Sequence, residues 1–195
     1  MTTMRATTIV FSALLGLSTA CGPSAAPGPA VPAGPQVPSG HFVHRGGGSR
    51  TFDALVNGND ITGPTVSLSR YLEGDERAIR GQVFGLTVDV AVNGNKANGL
   101  VGSTPLDITV TRTDDKIRAE GVIRGAPSEF DLGPQVLDGK IGNCTYHLTQ
   151  TGKPSYMGSR GCGGGATVEV EVPDALRAWS DTELAVAVGL MLSSP

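Results

Sequence analysis

Aromatic side chains are scarce in this sequence. Phe, Trp and Tyr make up 5% of the 195 residues, and there is one Trp. Pockets for small molecules are lined mainly by apolar and aromatic side chains. The scarcity argues against a wide aromatic-lined cavity and predicts a core of Val, Ile and Leu.

A basic surface is also missing. The formal net charge is −3, and removing residues 1–20 with their single charged residue, Arg5, changes it to −4. The Lys and Arg residues form no cluster along the chain. Since nucleic-acid-binding proteins present a basic patch, we expect no nucleic-acid partner.

Catalytic and cofactor motifs are absent. The sequence has no Gly-x-Ser-x-Gly, His-Glu-x-x-His, Walker or EF-hand pattern. His41, His44 and His147 belong to no motif, and the glycine runs 46–48 and 161–165 do not open a predicted helix. We therefore predict a protein that is not an enzyme and holds no cofactor or metal. A Ser/His/Asp site assembled from separate strands is the alternative.

Acidic residues recur at a fixed interval. Asp89, Glu129 and Glu169 are spaced 40 residues apart, with Asp131 and Glu171 beside two of them. Carboxylates in a row can bind Ca²⁺ or a basic partner, but predicted strands with threonine at the matching positions intervene. A solvated acidic face is the preferred interpretation.

The N-terminal residues have the composition of a secretory signal. Arg5 is followed by an apolar run from Thr8 to Leu17 and by small residues. The run is too short to span a membrane as a helix. We predict a signal peptide over residues 1–20.

The segment Leu17-Ser18-Thr19-Ala20-Cys21 resembles the lipobox of bacterial lipoproteins, in which the cysteine is acylated and becomes the mature N-terminus. Ser18 departs from the family pattern three residues before the cysteine, so ordinary cleavage after Ala20 is the alternative. The resemblance implies a palmitate-bearing membrane anchor at Cys21. It also implies a location in the cell envelope, at the outer membrane of a Gram-negative bacterium.

Residues 21–40 are predicted to form a tether behind that cysteine. From Gly22 to Gly40 the chain consists almost wholly of Pro, Ala, Gly, Ser and Val, a composition that cannot pack a core. A disordered remnant without a spacing role is the alternative. The folded domain is then predicted over residues 41–195.

Glycine is abundant, with 28 residues, and it recurs with a period. An apolar residue stands two places after each of the recurring glycines, or after the residue that takes the place of a glycine. The distance along the chain from one such apolar residue to the next alternates between 22 and 18 residues, so the pattern repeats every 40 residues. Such a period is typical of repeat architectures. The glycines assigned a structural role are Gly81, Gly85, Gly99, Gly121, Gly125, Gly139, Gly161 and Gly165.

The apolar positions of each predicted strand switch parity just after the glycine. Ile79 and Val83 are odd-numbered, whereas Val88 and Val90 are even-numbered. Because side chains alternate between the two faces of a strand, an inserted residue, a β-bulge, would keep one face inward through the switch. The glycines would then bend the strands; a close-approach site for a ligand or partner backbone is the alternative.

Turn signals recur about every twenty residues. They predict an all-β fold, an antiparallel meander of roughly six or seven long, glycine-bulged strands built from 40-residue repeats. Bent strands of this kind let the sheet curl into a barrel, a half-barrel or a sandwich.

Cys144 and Cys162 are predicted to form a disulfide. Folding a hairpin about Lys153 pairs residues whose numbers sum to 306, so the two cysteines face each other across neighbouring strands. A secreted compartment allows the bond to persist. A metal site is the rival, and the lack of nearby histidine ligands argues against it.

The C-terminal residues predict a helix over residues 181–192. Ser180 and Glu183 have the spacing of a capping box. The helix is apolar around much of its surface and too short to span a bilayer. We expect it to plug the open edge or mouth of the curled sheet; a docking face for a partner or membrane is the alternative.

These features predict a lipid-anchored envelope protein that acts as a non-enzymatic structural or interaction module and binds another envelope protein or a surface polymer. The alternative is a carrier that holds a lipid or other hydrophobic ligand inside the curled sheet, with the C-terminal helix as a lid. The two hypotheses differ in the interior, because a carrier needs empty volume there.

Overall fold

The computed structural model describes residues 38–46, 51–73, 76–162 and 165–193, within a compact unit that spans Gln36–Pro195. The predictions for the signal peptide, for Cys21 and for most of the tether lie outside the described residues. The first strand begins at Ser39, so it takes in the last two residues of the predicted tether.

Antiparallel strands form a closed barrel of fourteen. Each strand pairs with the next one along the chain, and β14 pairs with β1, where Val43 lies opposite Glu171. The all-β antiparallel meander is thereby confirmed, in the barrel form of the three that were predicted. The strands are β1 Ser39–Gly46, β2 Phe52–Asn57, β3 Asp60–Gly63, β4 Val66–Glu73, β5 Glu76–Val83, β6 Leu86–Asn93, β7 Lys96–Val101, β8 Thr104–Thr113, β9 Lys116–Ile123, β10 Ala126–Leu132, β11 Val136–Ile141, β12 Cys144–Gly152, β13 Ser155–Arg160 and β14 Ala166–Glu171.

Alternating apolar and polar residues give each strand its inner and outer faces. In β6, Val88, Val90 and Val92 are buried, while the residues between them are exposed. A two-residue side-chain period directs such a set to one face of a sheet. The barrel core is accordingly dominated by Val, Ile and Leu.

The predicted number of strands is wrong, because each predicted long strand is a hairpin of two strands. Val83 pairs with Leu86 across the turn Phe84-Gly85. Both turn residues have positive φ, 51° for Phe84 and 77° for Gly85, as the tight turns that match hairpin twist require. A two-residue turn joins an odd-numbered inward position to an even-numbered one, which accounts for the switch in parity.

The predicted β-bulge at the glycine is therefore also wrong. The ladder between β4 and β5 passes through Gly81 without a shift in register. Among the described strand pairs, the one irregularity lies between Gln150 and Gly152. At Gly81 the backbone has a φ of 137°, and a Cβ would lie 1.9 Å from the carbonyl oxygen of Ser67. Glycine permits both this φ and this close approach of the neighbouring strand.

A belt of such glycines runs through every second strand from β5 to β13. A Cβ on any of them would come within 2.3 Å of a carbonyl oxygen on the preceding strand. Glycine kinks of this kind allow a sheet to curve into a barrel. The belt consists of Gly81, Gly99, Gly121, Gly139 and Gly158. Of the other glycines assigned a structural role, Gly85 and Gly125 belong to two-residue turns, and Gly161 and Gly165 lie between β13 and β14.

The 40-residue period corresponds to two hairpins. β5, β6, β7 and β8 begin at residues 76, 86, 96 and 104, and β9 to β12 begin at 116, 126, 136 and 144. The belt glycines of β5 and β9, Gly81 and Gly121, keep the same offset. One repeat thus adds four strands to the wall of the barrel.

Two helices follow β14: α1, Asp174–Arg177, and α2, Asp181–Leu192. Both hydrogen bonds of the predicted capping box are present between Ser180 and Glu183. Every residue from Thr182 to Leu192 is buried, as expected for a helix with apolar residues on all sides. Among the described residues, no helix is long and apolar enough to cross a membrane.

The rims of the barrel are distinguished by where α2 begins and ends. Near its start, the Thr182 hydroxyl donates a hydrogen bond to the Gly94 carbonyl at 2.8 Å, and we name that end the upper rim. The last turn of α2 lies at the opposite end, the lower rim, where Arg124 donates to the Ser193 carbonyl.

The helix therefore passes through the interior of the barrel from rim to rim. A Cβ on Gly189 would lie 2.6 Å from Cδ1 of Ile123, so the helix backbone packs directly against the wall. The predicted C-terminal helix is confirmed, but it occupies the lumen of a closed barrel and not an open edge.

Candidate functional site

The predicted disulfide between Cys144 and Cys162 is present. Tyr146 and Arg160 pair across β12 and β13, which is the register that the hairpin about Lys153 predicts. The Cα atoms of the two cysteines are 4.7 Å apart, close to the spacing of directly opposed residues. The bond ties the start of β12 to the segment after β13 at the lower rim.

The acidic residues that share a repeat position do not form one cluster. Asp89 lies on β6, Glu129 on β10 and Glu169 on β14, each four strands from the next. Arginines on neighbouring strands contact them: Arg80 pairs with Asp89, Arg118 with Glu129, and Arg45 with Glu169 and Glu171. Within the part of the chain that the structure describes, no group of three or more His, Cys, Asp or Glu side chains is placed to hold a metal ion.

A mixed aromatic and basic patch lies at the upper rim, where Tyr71 and Arg80 face outward and Leu72 and Arg77 occupy the inward-facing strand positions at the rim. The Tyr71 patch, as we name it, consists of Tyr71, Leu72, Arg77 and Arg80. Tyr71 is 47% exposed and Leu72 is 53% exposed. The Arg80 guanidinium lies 5.7 Å from the ring centroid of Tyr71. A pocket of about 190 Å³ lies beside Tyr71 and the two arginines.

Tyr and Arg are enriched among the residues that dominate binding energy in protein interfaces. Large apolar side chains exposed together also mark interaction sites. The Tyr71 patch therefore has the composition of a small protein-binding surface.

A buried polar cluster lies inside the barrel toward the lower rim. It consists of His44 on β1, Tyr146 on β12 and Arg160 on β13, and His44 and Arg160 are 3% and 5% exposed. The rings of His44 and Tyr146 are 6.5 Å apart. The Arg160 guanidinium lies 5.9 Å from the Tyr146 ring centroid, and the Tyr146 hydroxyl donates to the Leu192 carbonyl at 2.8 Å.

The cluster is electrostatically unusual. Burial, together with the charge of Arg160, lowers the pKa of His44 from 6.5 to about 4. Burial likewise raises the pKa of Tyr146. At neutral pH the histidine and the tyrosine are therefore uncharged, and the charge of the cluster comes from Arg160.

Sequence analysis missed this cluster. It assigned His44 to no motif and gave Arg160 no role. The sequence nevertheless contained a signal for it. Tyr156, Gly158 and Arg160 are two residues apart and so share one face of β13, and this places a cation on the inward face at the end of the strand. The other two histidines lie outside the barrel, where His41 contacts Asp53 at 2.7 Å and His147 contacts Asp138 at 2.6 Å.

The fold defines the class of this protein as a closed antiparallel β-barrel with a helix in its lumen. Comparisons of the chain with protein-family models, with curated proteins and with solved structures give no significant match.

Proposed function

We propose that this protein is a lipid-anchored component of the cell envelope whose barrel is a non-enzymatic binding module for another envelope protein or a surface polymer. The observation that carries the proposal is the position of α2, in which every residue from Thr182 to Leu192 is buried inside the barrel. Since the protein's own helix occupies the lumen, the surfaces open to a partner are on the outside.

The Tyr71 patch supports a protein partner. It combines an exposed ring, an exposed aliphatic side chain and two arginines beside a shallow pocket. The paired strands β4 and β5 hold Tyr71 and Arg80 in place, which reduces the ordering required on binding.

The anchor rests on the resemblance of residues 17–21 to a lipobox. Mass spectrometry of the N-terminal peptide of the mature protein is the direct measurement. We expect acylated Cys21 as the first residue. An unmodified Cys21 would refute the anchor and leave the binding module as a secreted protein.

Partner binding is tested by affinity purification from detergent-solubilised envelopes after cross-linking. We expect one protein recovered in stoichiometric amount with the wild type and lost with the double variant Tyr71→Ser, Arg80→Ser, which changes the two outward-facing members of the patch. The matched control is Leu100→Ser, which alters an exposed apolar residue, 52% accessible, on a different part of the wall. Equal recovery with all three proteins, or no stoichiometric partner, would contradict the proposal.

A carrier function would require α2 to leave the lumen. That movement breaks the bonds from Thr182 to Gly94 and from Tyr146 to Leu192 and exposes an apolar helix. Organic extraction of the purified protein followed by mass spectrometry separates the two functions. A lipid recovered in equimolar amount would favour the carrier over the binding module.

A further inference from the structure

Arg160 is a buried cation at the lower end of the barrel interior. It is the last residue of β13 and pairs with Tyr146 of β12. An arginine side chain stays charged at any physiological pH. Holding a charge away from water is costly unless an opposite charge or strong hydrogen bonds compensate.

No carboxylate of the described residues compensates Arg160. The arginines that have a carboxylate partner within 4.0 Å are Arg45, Arg70, Arg77, Arg80, Arg112 and Arg118. Arg124 and Arg177 also lack such a partner there, but both are only half-buried. Arg160 thus combines nearly complete burial with a charge that no carboxylate of the described residues pairs.

Two nitrogen atoms of the cluster have no hydrogen-bond partner within the described part of the chain. They are Nε of Arg160 and Nε2 of His44. Buried polar atoms in native proteins are nearly always bonded to protein, water or an ion. The two side chains come from different strands, both lie against the ring of Tyr146, and Arg160 is near enough to His44 for its charge to lower the pKa of the histidine. One small ligand between them would bond to both nitrogen atoms.

The end of α2 supplies only part of the missing negative charge. The Leu192 carbonyl, in its last turn, accepts from the Tyr146 hydroxyl. The carbonyl end of a helix behaves as roughly half a negative charge. The end of α2 therefore compensates the charge of Arg160 only in part.

We propose that Arg160, His44 and Tyr146 form a binding site for a small oxyanion of the carboxylate, phosphate or sulfate class. Arg160 supplies the charge and a charge-assisted hydrogen bond from its free Nε edge. His44 supplies a second donor from Nε2 in the tautomer that an anion favours. The site is independent of the membrane anchor and of the Tyr71 patch.

The test uses the full chain, in detergent where it is lipidated. Thermal unfolding is followed in sodium phosphate, sulfate or acetate, with ionic strength matched by chloride. We expect at least one oxyanion to raise the unfolding midpoint by a few degrees in a saturable manner. The same anion should shift the Arg160 Nε–H resonance in ¹H–¹⁵N spectra along a saturable curve. If no oxyanion moves either signal beyond the chloride control, the proposal is wrong.

Variants separate binding from a structural role. Arg160→Met should abolish the response to oxyanions and, in chloride alone, unfold at the same or a higher temperature, because an unpaired buried charge has been removed. Arg118→Met, at an exposed arginine, is the matched control and should keep the full response. The opposite outcome is a lower unfolding midpoint for Arg160→Met in chloride together with a wild-type midpoint that oxyanions do not change. It would mean that Arg160 is stabilised by the protein alone and that the site does not exist.

Arg160→Lys is a second variant that tests the site even if Arg160→Met does not fold. It keeps the charge but loses the guanidinium geometry. We expect the oxyanion response to persist with an affinity weakened about tenfold. An unchanged affinity would show that the oxyanion binds elsewhere, and the proposal would fall.

Discussion

Gly81 lies against the backbone of Ser67 so closely that a Cβ on Gly81 would be 1.9 Å from the Ser67 carbonyl oxygen. The contact joins β4 to β5 at the belt of glycines, and four further strands repeat it. Because the obstacle is backbone and not the flexible end of a side chain, the strands themselves would have to separate to admit a methyl group. The belt is therefore a requirement of the barrel's curvature.

The first prediction concerns that belt. Gly81→Ala should lower the free energy of unfolding by at least about 2 kcal/mol, because it adds both a steric clash and an unfavourable positive φ. Urea denaturation measures the change. Gly152→Ala is the control, since a Cβ there meets nothing within 4 Å, and it should change stability by less than about 0.5 kcal/mol. Equal losses in the two variants would contradict the role of the belt.

The disulfide gives the second prediction. Cys144 and Cys162 are separated by 18 residues, and closing a loop of that size stabilises a fold by about 3 kcal/mol. The double variant Cys144→Ser, Cys162→Ser should lose that amount in urea denaturation. Wild-type protein under reducing agent should lose a similar amount, while the variant should not respond to the reductant. Two reactive thiols in unfolded, unreduced wild type would disprove the bond.

The third prediction concerns the upper end of α2. The Glu183 carboxylate is fully buried, accepts from the Ser180 backbone at 2.9 Å and contacts Arg70 at 3.3 Å. Glu183→Gln should destabilise the protein by about 3 kcal/mol, because it leaves the largely buried Arg70 without its counter-charge. Circular dichroism during urea unfolding reports the loss.

The matched control for that variant is Glu120→Gln. Glu120 is exposed and pairs with Arg118 on the outer wall, and exposed pairs contribute little. We expect a change within about 0.5 kcal/mol. A loss at Glu120 as large as that at Glu183 would mean that burial is not the cause.

The fourth prediction is a dependence of stability on pH. Because the pKa of His44 falls from 6.5 to about 4 on folding, the unfolded chain binds more protons between those two values. The contribution of neutral His44 to the free energy of unfolding is therefore complete above pH 6.5. It is lost as the pH falls toward 4, and the loss amounts to about 2 to 3 kcal/mol. Urea denaturation from pH 4 to 7.5 measures it.

His44→Gln should remove that share of the slope, whereas His147→Gln, at an exposed histidine, should retain it. Arg160 and Tyr146 are the charged and titratable groups that face His44, and burial raises the pKa of Tyr146 away from this range. A slope that is the same in wild type and His44→Gln would show that the buried histidine is not its source.

Local patterns predicted those features whose signals lie close together in sequence. Ser180 and Glu183 cap α2 as their spacing requires, and Cys144 and Cys162 bond across a hairpin whose register follows from its turn. Repetition predicted the meander, because identical elements at a fixed offset pack in the same way.

The number of strands could not be obtained in the same way. A switch in apolar parity has two physical solutions, an inserted residue or a two-residue turn. Turns of the second kind usually contain Asn, Asp or Gly at the first position, but here Phe84 and Arg124 occupy it with positive φ. The sequence therefore did not indicate these turns, because their first residues are of types that rarely occupy that position.

By itself the sequence determined the alternation of its strands, the period of its glycines, the disulfide and the capped helix, since each depends on residues within one hairpin, one helical turn or one repeat. Only the tertiary structure decided that the sheet closes, that α2 lies inside it and that His44 comes beside Arg160. Closure pairs the first strand with the last and brings together residues such as Arg45 and Glu171, 126 positions apart. A contact of that range depends on the summed curvature of fourteen strands, which no local pattern encodes.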